Sequence, residues 1–458
     1  MSVRFTLAMI AAKLSRAALR LLGRDGSCTP GKIAVKICPD FLARLKLPEK
    51  VICITGTNGK TTTSNLVAGI IRELGYTVTN TSVGSNVQGG VATALLADST
   101  LGGKARKQVA VLEVDERSSI LVYKYITPDY LLCNNIMRDS LKRNAHTDFI
   151  AFILNSALPR ETKVVLNADD FICSSLFPEN TNRTYFGITA EPPDNSEMRS
   201  RDAVYCPDCG SRLKAEYIRF DHIGRIFCPG CGKRSPEPDF SVCGIDRAAG
   251  SFSVTNRSSG VRREYRLLNE NIVNLYNFCG ALALLETAGF DPEKTAEAFA
   301  RQKIVSSRFD SVRSGRLNIT MQLAKGQNPV ACARAFSYIV SRPEQNKCLL
   351  VMTDDKSDNT KNSESVCWIY DTDFSALTDP SVSLIVFAGK RCRDQRLRAL
   401  MAGVDPKKIL ISDGLIEGAK LIDTSKFTDI FVLNDPYILA EAGKIKEYLI
   451  KKGVENEG

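Results

Sequence analysis

Apolar positions along the chain switch between helical and strand spacing, and the switches mark the elements. VRFTLAMIAAKLSRAALRLLGR near the start carries apolar residues at helical intervals. Lys13, Arg16 and Arg20 interrupt it, so it is neither an uninterrupted membrane span nor a secretory signal with a clean apolar core. The pattern predicts an amphipathic helix packed on the rest of the protein. The other reading is a helix lying on the inner face of a membrane, its basic side toward lipid phosphates. KVICITG follows, a β-branched run of strand length. After a glycine-containing loop, TTSNLVAGIIRELG has apolar residues at helical intervals and ends at Gly75. QVAVLEV, DYLLCNN and TKVVLNA read as further short strands, each followed by a polar turn.

From about residue 200 to 236 the chain becomes rich in Cys, Gly, Pro and Arg. A second alternating series starts near 313, with strands expected at LNITMQLA, KCLLVMT, SLIVFAG, KILIS and DIFVLN. The tail KIKEYLIKKGVENEG reads as a final helix running into a polar end. Strands alternating with helices predict an α/β protein with mainly parallel sheets covered by helices. The expected organisation is a helical lead segment over 1–46, a central domain over 47–312 with an insertion at 200–236, and a smaller α/β domain over 313–458.

At 458 residues the chain is too long for one ordinary core, which fits that division. Its 44% hydrophobic and 24% charged residues are the balance of a soluble globular protein. The formal charge of +10 suits nucleic acid, an anionic membrane surface or a phosphorylated substrate, and by itself selects none of them. Most of the 15 cysteines sit singly in apolar runs, such as Cys53, Cys133 and Cys348. That pattern reads as reduced, buried thiols in a cytoplasmic protein.

The loop Gly56-Thr57-Asn58-Gly59-Lys60-Thr61-Thr62 stands between a buried strand and a helix, where backbone N–H groups and the helix dipole attract a phosphate. Gly56 and Gly59 let the backbone come close, Lys60 reaches the outer phosphates of ATP, and the Thr61 hydroxyl is placed to ligate Mg²⁺. The common P-loop spacing needs a glycine five residues before Gly59, where this chain has Ile54. The compact form is rarer and more informative.

Cys206-Pro-Asp-Cys209 and Cys228-Pro-Gly-Cys231 are separated by eighteen residues. Two such knuckles joined by a hairpin predict a tetrahedral structural Zn²⁺ site with no open position. Arg201, Arg212, Lys214, Arg219, Arg225, Lys233 and Arg234 lie nearby, but only Tyr217, Phe220 and Phe227 are available for base stacking. A structural clamp is therefore favoured over a nucleic-acid reader. The two histidines, His146 and His222, lie near no nucleophile elbow, and His222 reads as a fold residue of the ribbon.

The phosphate loop resembles that of the Mur ligases and folylpolyglutamate synthases, which join a carboxylate to an amine using ATP. Further segments match in order. Glu113 in VLEVDE stands where that family binds Mg²⁺, and Asn135, Arg138, Asp139 and Arg143 resemble its asparagine-led loop. Leu166–Asp170 (LNADD) is a family hallmark, Asn274 and Asn277 match its asparagine pair near the nucleotide, and Arg308 matches the arginine joining its central and C-terminal domains. The cysteine ribbon, GKIAVKICPDFL, GSNVQGGVATALL and WIYDTDF narrow the resemblance to the MurT family. The resemblance implies a Mur ligase-like ATPase domain with an inserted Cys₄ ribbon and a smaller Rossmann-like domain. It also implies ATP-dependent amidation of the D-glutamate α-carboxylate of lipid II through an acyl-phosphate. Ammonia would come from a GatD-like glutaminase in a heterodimer, and no nucleic-acid partner is expected.

Two places depart from the family. Its catalytic aspartate, three residues ahead of Trp368, is replaced by Ser365 in a lengthened loop, so Asp355, Asp358 or Glu364 is the candidate replacement. LAKGQNP carries an extra residue, with Lys325 and Asn328 still expected to face the nucleotide. Three alternatives stay open: a Mur-type ligase adding an amino acid, a divergent paralogue with impaired catalysis, and a nucleic-acid-binding module.

Overall fold

The computed structural model describes residues 2–24, 26–81, 85–138, 146–190, 202–269, 271–303, 309–323, 328–353, 366–435 and 438–455. The chain divides into two compact units, residues 1–137 with 146–304, and residues 138–145 with 305–458.

The first unit is built on nine strands. They are β1 (Lys50–Thr55), β2 (Val78–Asn80), β3 (Val109–Glu113), β4 (Tyr130–Cys133), β5 (Lys163–Asn167) and β6 (Arg183–Ile188), then, beyond the ribbon hairpin β7 (Lys214–Phe220) and β8 (Ile223–Phe227), β9 (Phe240–Asp246), β10 (Ser251–Asn256) and β11 (Arg262–Arg266). The sheet order is β11-β10-β9-β6-β5-β4-β1-β3-β2. Pairing is parallel from β2 through β9, while β9, β10 and β11 form an antiparallel meander. Strands buried on both faces read as continuous apolar runs, which is why VICIT, VAVLE and KVVLN are strands without alternation.

β1 lies between β3 and β4, with β2 beyond β3, so the chain reverses its direction of travel across the sheet around β1. A crevice opens at such a point, beyond the carboxyl ends of the strands. The loops there leave β1 at Thr55, β3 at Glu113 and β4 at Cys133.

Helix α1 (Val3–Leu21) buries Phe5, Ala8, Met9 and Ala12, and Phe5 stacks on Phe41 with ring centroids 5.2 Å apart. α2 (Thr29–Ile37) crosses α4 (Gln88–Ala97) closely, with α3 (Lys60–Glu73) between α2 and α4 in sequence. The Gly31 N–H donates to Thr93 Oγ1 at 2.8 Å, and a Cβ on Gly31 would stand 1.9 Å from the Gly89 carbonyl oxygen. Only glycine fits that crossing.

The second unit has β12 (Phe309–Ser314), β13 (Leu317–Leu323), β14 (Lys347–Met352), β15 (Val382–Ala388), β16 (Ile409–Ser412) and β17 (Asp429–Asn434), in the order β12-β13-β17-β14-β15-β16. All pairs are parallel except the β12–β13 hairpin. The final helix, Leu439–Glu455, buries Ile445 and Leu449 on this sheet. The α/β class and the two sheets expected from the sequence are therefore present. Among the described residues no helix is long and apolar enough to cross a membrane.

Candidate active site and metal ribbon

The phosphate loop follows β1 directly. Gly56 and Gly59 have φ of 121° and 84°, and a Cβ on Gly59 would stand 2.2 Å from Asn277 Oδ1, so no other residue fits there. α3 begins at Lys60 with no acidic residue in its first turn, leaving its N-terminal N–H groups and their partial positive charge facing the loop.

Lys60 is buried, and its Nζ donates to the Gly56 carbonyl at 2.5 Å and to Glu116 Oε1 at 3.1 Å. Burial alone lowers an ammonium's affinity for its proton. Glu116, then Asp115 and Glu113, outweigh it and hold Lys60 above its ordinary value. The Thr61 hydroxyl donates to Glu113 Oε2 at 2.8 Å, and Asn86 Nδ2 donates to Glu113 Oε1 at 3.0 Å. The hydroxyl and carboxylate side by side are a hard-oxygen pair of the kind that holds Mg²⁺.

The loop after β4 laces this loop in place. Asn135 Oδ1 accepts from the Asn58 N–H at 3.0 Å, and its Nδ2 returns a bond to the Asn58 carbonyl at 3.1 Å. Thr57 Oγ1 accepts from the Met137 N–H at 2.9 Å, and Asn134 Nδ2 reaches Thr63 Oγ1 at 3.0 Å. The helix Ile272–Thr287 closes the far side. Its Asn277 Nδ2 donates to Asn274 Oδ1 at 3.4 Å, while Asn277 Oδ1 is buried with no partner among the described residues. Such an amide, pressed against a cradle that a Cβ would fill, fits a loop built to take a bound group.

The structure thus gathers Gly56–Thr62, Glu113, Asn135, Asn274 and Asn277 around one point. Arg138 pairs with Asp371 at 3.2 Å in the second unit. Asp139, Arg143, Arg308, Lys325, Asp355, Asp358, Glu364 and Ser365 lie outside the described residues. Glu116 was missed by sequence reasoning. It stands three positions past Glu113 in VLEVDE, and nothing local in the sequence ties it to Lys60, 56 positions earlier.

The LNADD turn proves to be a structural junction. Asp169 Oδ2 accepts from the Ile188 N–H at 3.0 Å and the Tyr276 hydroxyl at 2.7 Å. Asp170 Oδ1 caps the helix Phe171–Ser174, and its Oδ2 accepts from the Ile136 N–H at 2.7 Å, bracing the β4 loop. The ribbon hairpin docks on the same turn: Gly224 N–H donates to the Asp169 carbonyl at 2.7 Å, and His222 Nε2 lies 3.3 Å from Asp170 Oδ1. Burial opposes a charge on His222, but Asp170, Asp202 and Asp221 surround it and raise its pKa to about 9. His222 is the fold residue expected, and the ion pair is how it acts.

In the ribbon, Cys206 and Cys228 each accept at their carbonyls from a glycine N–H, Gly210 at 2.9 Å and Gly232 at 3.0 Å. Their own N–H groups bond the Ser211 and Lys233 carbonyls at 2.9 and 2.7 Å, so the two knuckles have one geometry. The four Sγ atoms all lie within 4.8 Å of one another. Cys206 and Cys231 are 3.6 Å apart, and Cys209 and Cys228 3.4 Å. Tetrahedral thiolates at the usual zinc–sulfur length sit about 3.8 Å apart. The donor set fits.

Comparison with known proteins agrees with this geometry. The model for the Mur ligase middle domain matches residues 54–213, and that for the MurT ligase C-terminal domain matches residues 325–435. The lipid II isoglutaminyl synthase (glutamine-hydrolyzing) subunit MurT of Streptococcus pneumoniae is 30% identical over 444 residues, covering 94% of this chain and 95% of that one. The subunit of the same name from Staphylococcus aureus strain COL is 28% identical over 419 residues, 91% of this chain and 92% of the other. Among solved structures, a pseudomurein peptide ligase type C from Methanothermus fervidus shares the fold, with a TM-score of 0.68 at 21% identity over 90% of this chain and 81% of that one. Near full-length similarity, joined to a phosphate loop and a carboxylate pair at the ends of β1 and β3, gives one family: the chain belongs to the MurT family of ATP-dependent carbon–nitrogen ligases.

Proposed function

We propose that this chain is the synthetase that amidates the D-glutamate α-carboxylate of lipid II, drawing ammonia from a GatD-like glutaminase subunit. The observation that carries the reading is Lys60, Thr61 and Glu113 converging at one point, in a chain that matches two curated isoglutaminyl synthase subunits over nearly their whole length. The α3 N-terminus and the Gly56–Gly59 backbone bind the phosphates of ATP. Thr61 and Glu113 would hold Mg²⁺, which neutralises charge on the transferring phosphoryl group when bound. Lys60, kept charged by Glu116, turns its ammonium toward the same oxygens. The substrate carboxylate attacks the γ-phosphorus, ADP departs, and ammonia displaces phosphate from the acyl-phosphate to leave the amide.

The four cysteines would hold one structural Zn²⁺ and take no part in that sequence. Asp355, Asp358 or Glu364 would supply the carboxylate that Ser365 lacks. The test is amidation of lipid II by the chain co-purified with its glutaminase, given ATP and glutamine. Amide formation that also proceeds with ammonium in place of glutamine supports the proposal. Ligation of amino acids with none from ammonium would replace it with the amino-acid-adding reading, and ATP turnover with neither would mark a paralogue.

A further inference from the structure

Helix α1 spends only one of its faces on the fold. Phe5, Ala8, Met9 and Ala12 are buried, while Val3, Leu7, Ile10, Leu14 and Leu21 are 76, 57, 40, 65 and 89% exposed. Spacings of four, three, four and seven residues put these five on one line, opposite the buried set. Ala17 fills the gap in the line and is also exposed. The helix has 19 residues, so the apolar line runs about 28 Å. Single exposed leucines are ordinary on a protein surface, but an unbroken row of them on one rod is not.

The charge carried by the helix itself has one sign. α1 carries Arg4, Lys13, Arg16 and Arg20 and no acidic residue. Lys13 and Arg20 fall roughly a quarter turn from the apolar line on one side, and Arg4 on the other. Two of these are committed to the fold: Arg4 Nε donates to the Ile37 carbonyl at 2.5 Å and Lys13 Nζ to the Ser99 carbonyl at 2.7 Å. Arg20 and, just past the helix, Arg24 are exposed, as are Lys32 and Lys36 on α2. Residues 1–50 hold ten Lys and Arg against three Asp and Glu, so seven of the chain's ten net positive charges lie in this segment.

We propose that this face docks on an anionic lipid bilayer. α1 lies in the plane of the interface, its Val3–Leu21 line immersed at the level where headgroups meet acyl chains. Arg20, Arg24, Lys32 and Lys36 meet the lipid phosphates. A helical protein partner reading such a line would be selected by flanking charges of both signs. Here every charge on the helix's own flanks is positive, with Asp98 set against Lys13 and Arg16 on the fold side, so a second copy of the same face would be repelled. A bilayer needs no matched surface and supplies negative charge along the whole length of the helix. Because the opposite face of α1 is locked into the first unit, the helix sinks no deeper than its own half-thickness. Binding is therefore peripheral, reversible and weakened by salt. This inference is independent of the amidation reading, because the vesicles that test it contain no lipid II.

The test is co-sedimentation of the full chain with phosphatidylglycerol vesicles and with phosphatidylcholine vesicles, at low and high salt. The wild-type chain is expected to bind phosphatidylglycerol at least tenfold more tightly than phosphatidylcholine, and to release on raising salt. Leu7→Gln/Leu14→Gln and Arg20→Glu/Arg24→Glu should each weaken binding at least tenfold without lowering the melting temperature, since all four side chains are exposed. A Leu14→Trp chain gives a second readout that does not depend on loss: its added fluorescence should shift to the blue on phosphatidylglycerol vesicles. The proposal is overturned if the wild-type chain ignores phosphatidylglycerol, if the Gln pair binds as tightly, or if the added emission of the Leu14→Trp chain does not move. It is equally overturned if the chain self-associates through these leucines, or if the co-purified glutaminase complex no longer binds vesicles that the free chain binds.

Discussion

The ammonium of Lys60 sits 3.1 Å from the carboxylate of Glu116, and both side chains are buried. A buried pair of this kind gains little over two apolar residues, but breaking it strands a charge. The Glu116→Gln chain should lose about 3 kcal/mol of stability in urea unfolding. ATP should then restore more stability to the variant than to the wild-type chain, because phosphate oxygens take over as the partner of Lys60. Equal stabilisation of the two chains would remove Glu116 from the description of the site.

Gly59→Ala tests the cradle itself. The new Cβ meets Asn277 Oδ1 at 2.2 Å, and the backbone there has a φ of 84°. Strain of about 1–3 kcal/mol is expected, with nucleotide affinity falling at least tenfold in calorimetry. Adding Asn277→Ala should relieve the contact and not the backbone strain, so rescue should be partial.

The strands were legible where they are buried on both faces, because burial leaves an unbroken apolar run. VICIT, VAVLE and KVVLN need no partner to be recognised. The β9–β11 meander was not, since β11 reads Arg-Arg-Glu-Tyr-Arg and keeps only Tyr265 inward. β2, three residues long, is shorter than any pattern can carry. At the site, the phosphate loop is one continuous stretch and could be read locally. Glu116 could not, because its meaning comes from Lys60, 56 positions away, and an acidic run alone looks like a solvated turn.

His222 gives a pH prediction. Its pKa in the folded chain, about 9, lies above the ordinary 6.5. The ion pair with Asp170 therefore contributes fully below about pH 6.5 and is lost as pH rises through 9. The contribution is about 3 kcal/mol. With only His146 and His222 in the chain, NMR titration should show one ring proton moving near pH 9, and that signal should be absent in His222→Gln. A titration of the His222 ring near 6.5 would contradict the ion pair.

Metal analysis of the purified chain should find one zinc per chain, falling below a tenth of that in Cys206→Ser/Cys231→Ser. Chelation should speed amide exchange in β7 and β8 at least tenfold while leaving β1 and β3 protected. Uniform loss of protection would mean that the metal holds more than the ribbon.

Replacing Asp355, Asp358 and Glu364 singly by Ala should leave ATP binding intact in all three, and abolish amidation by at least a hundredfold in one. Full activity in all three would show that the loop ahead of Trp368 contributes no carboxylate.

Asp170 changes how the cysteine ribbon can be inherited. An insert joined to its host only at its two ends can be exchanged or trimmed freely. Here one carboxylate serves both parties, meeting His222 of the ribbon at 3.3 Å and the Ile136 N–H at 2.7 Å, one residue before the Met137 that grips Thr57. Excising residues 202–236 would leave that carboxylate without its cation and the Asp169 carbonyl without its donor, in the turn that braces the loop after β4. The ribbon is a keystone rather than a passenger, and a lineage that discards it must redesign the LNADD turn at the same step.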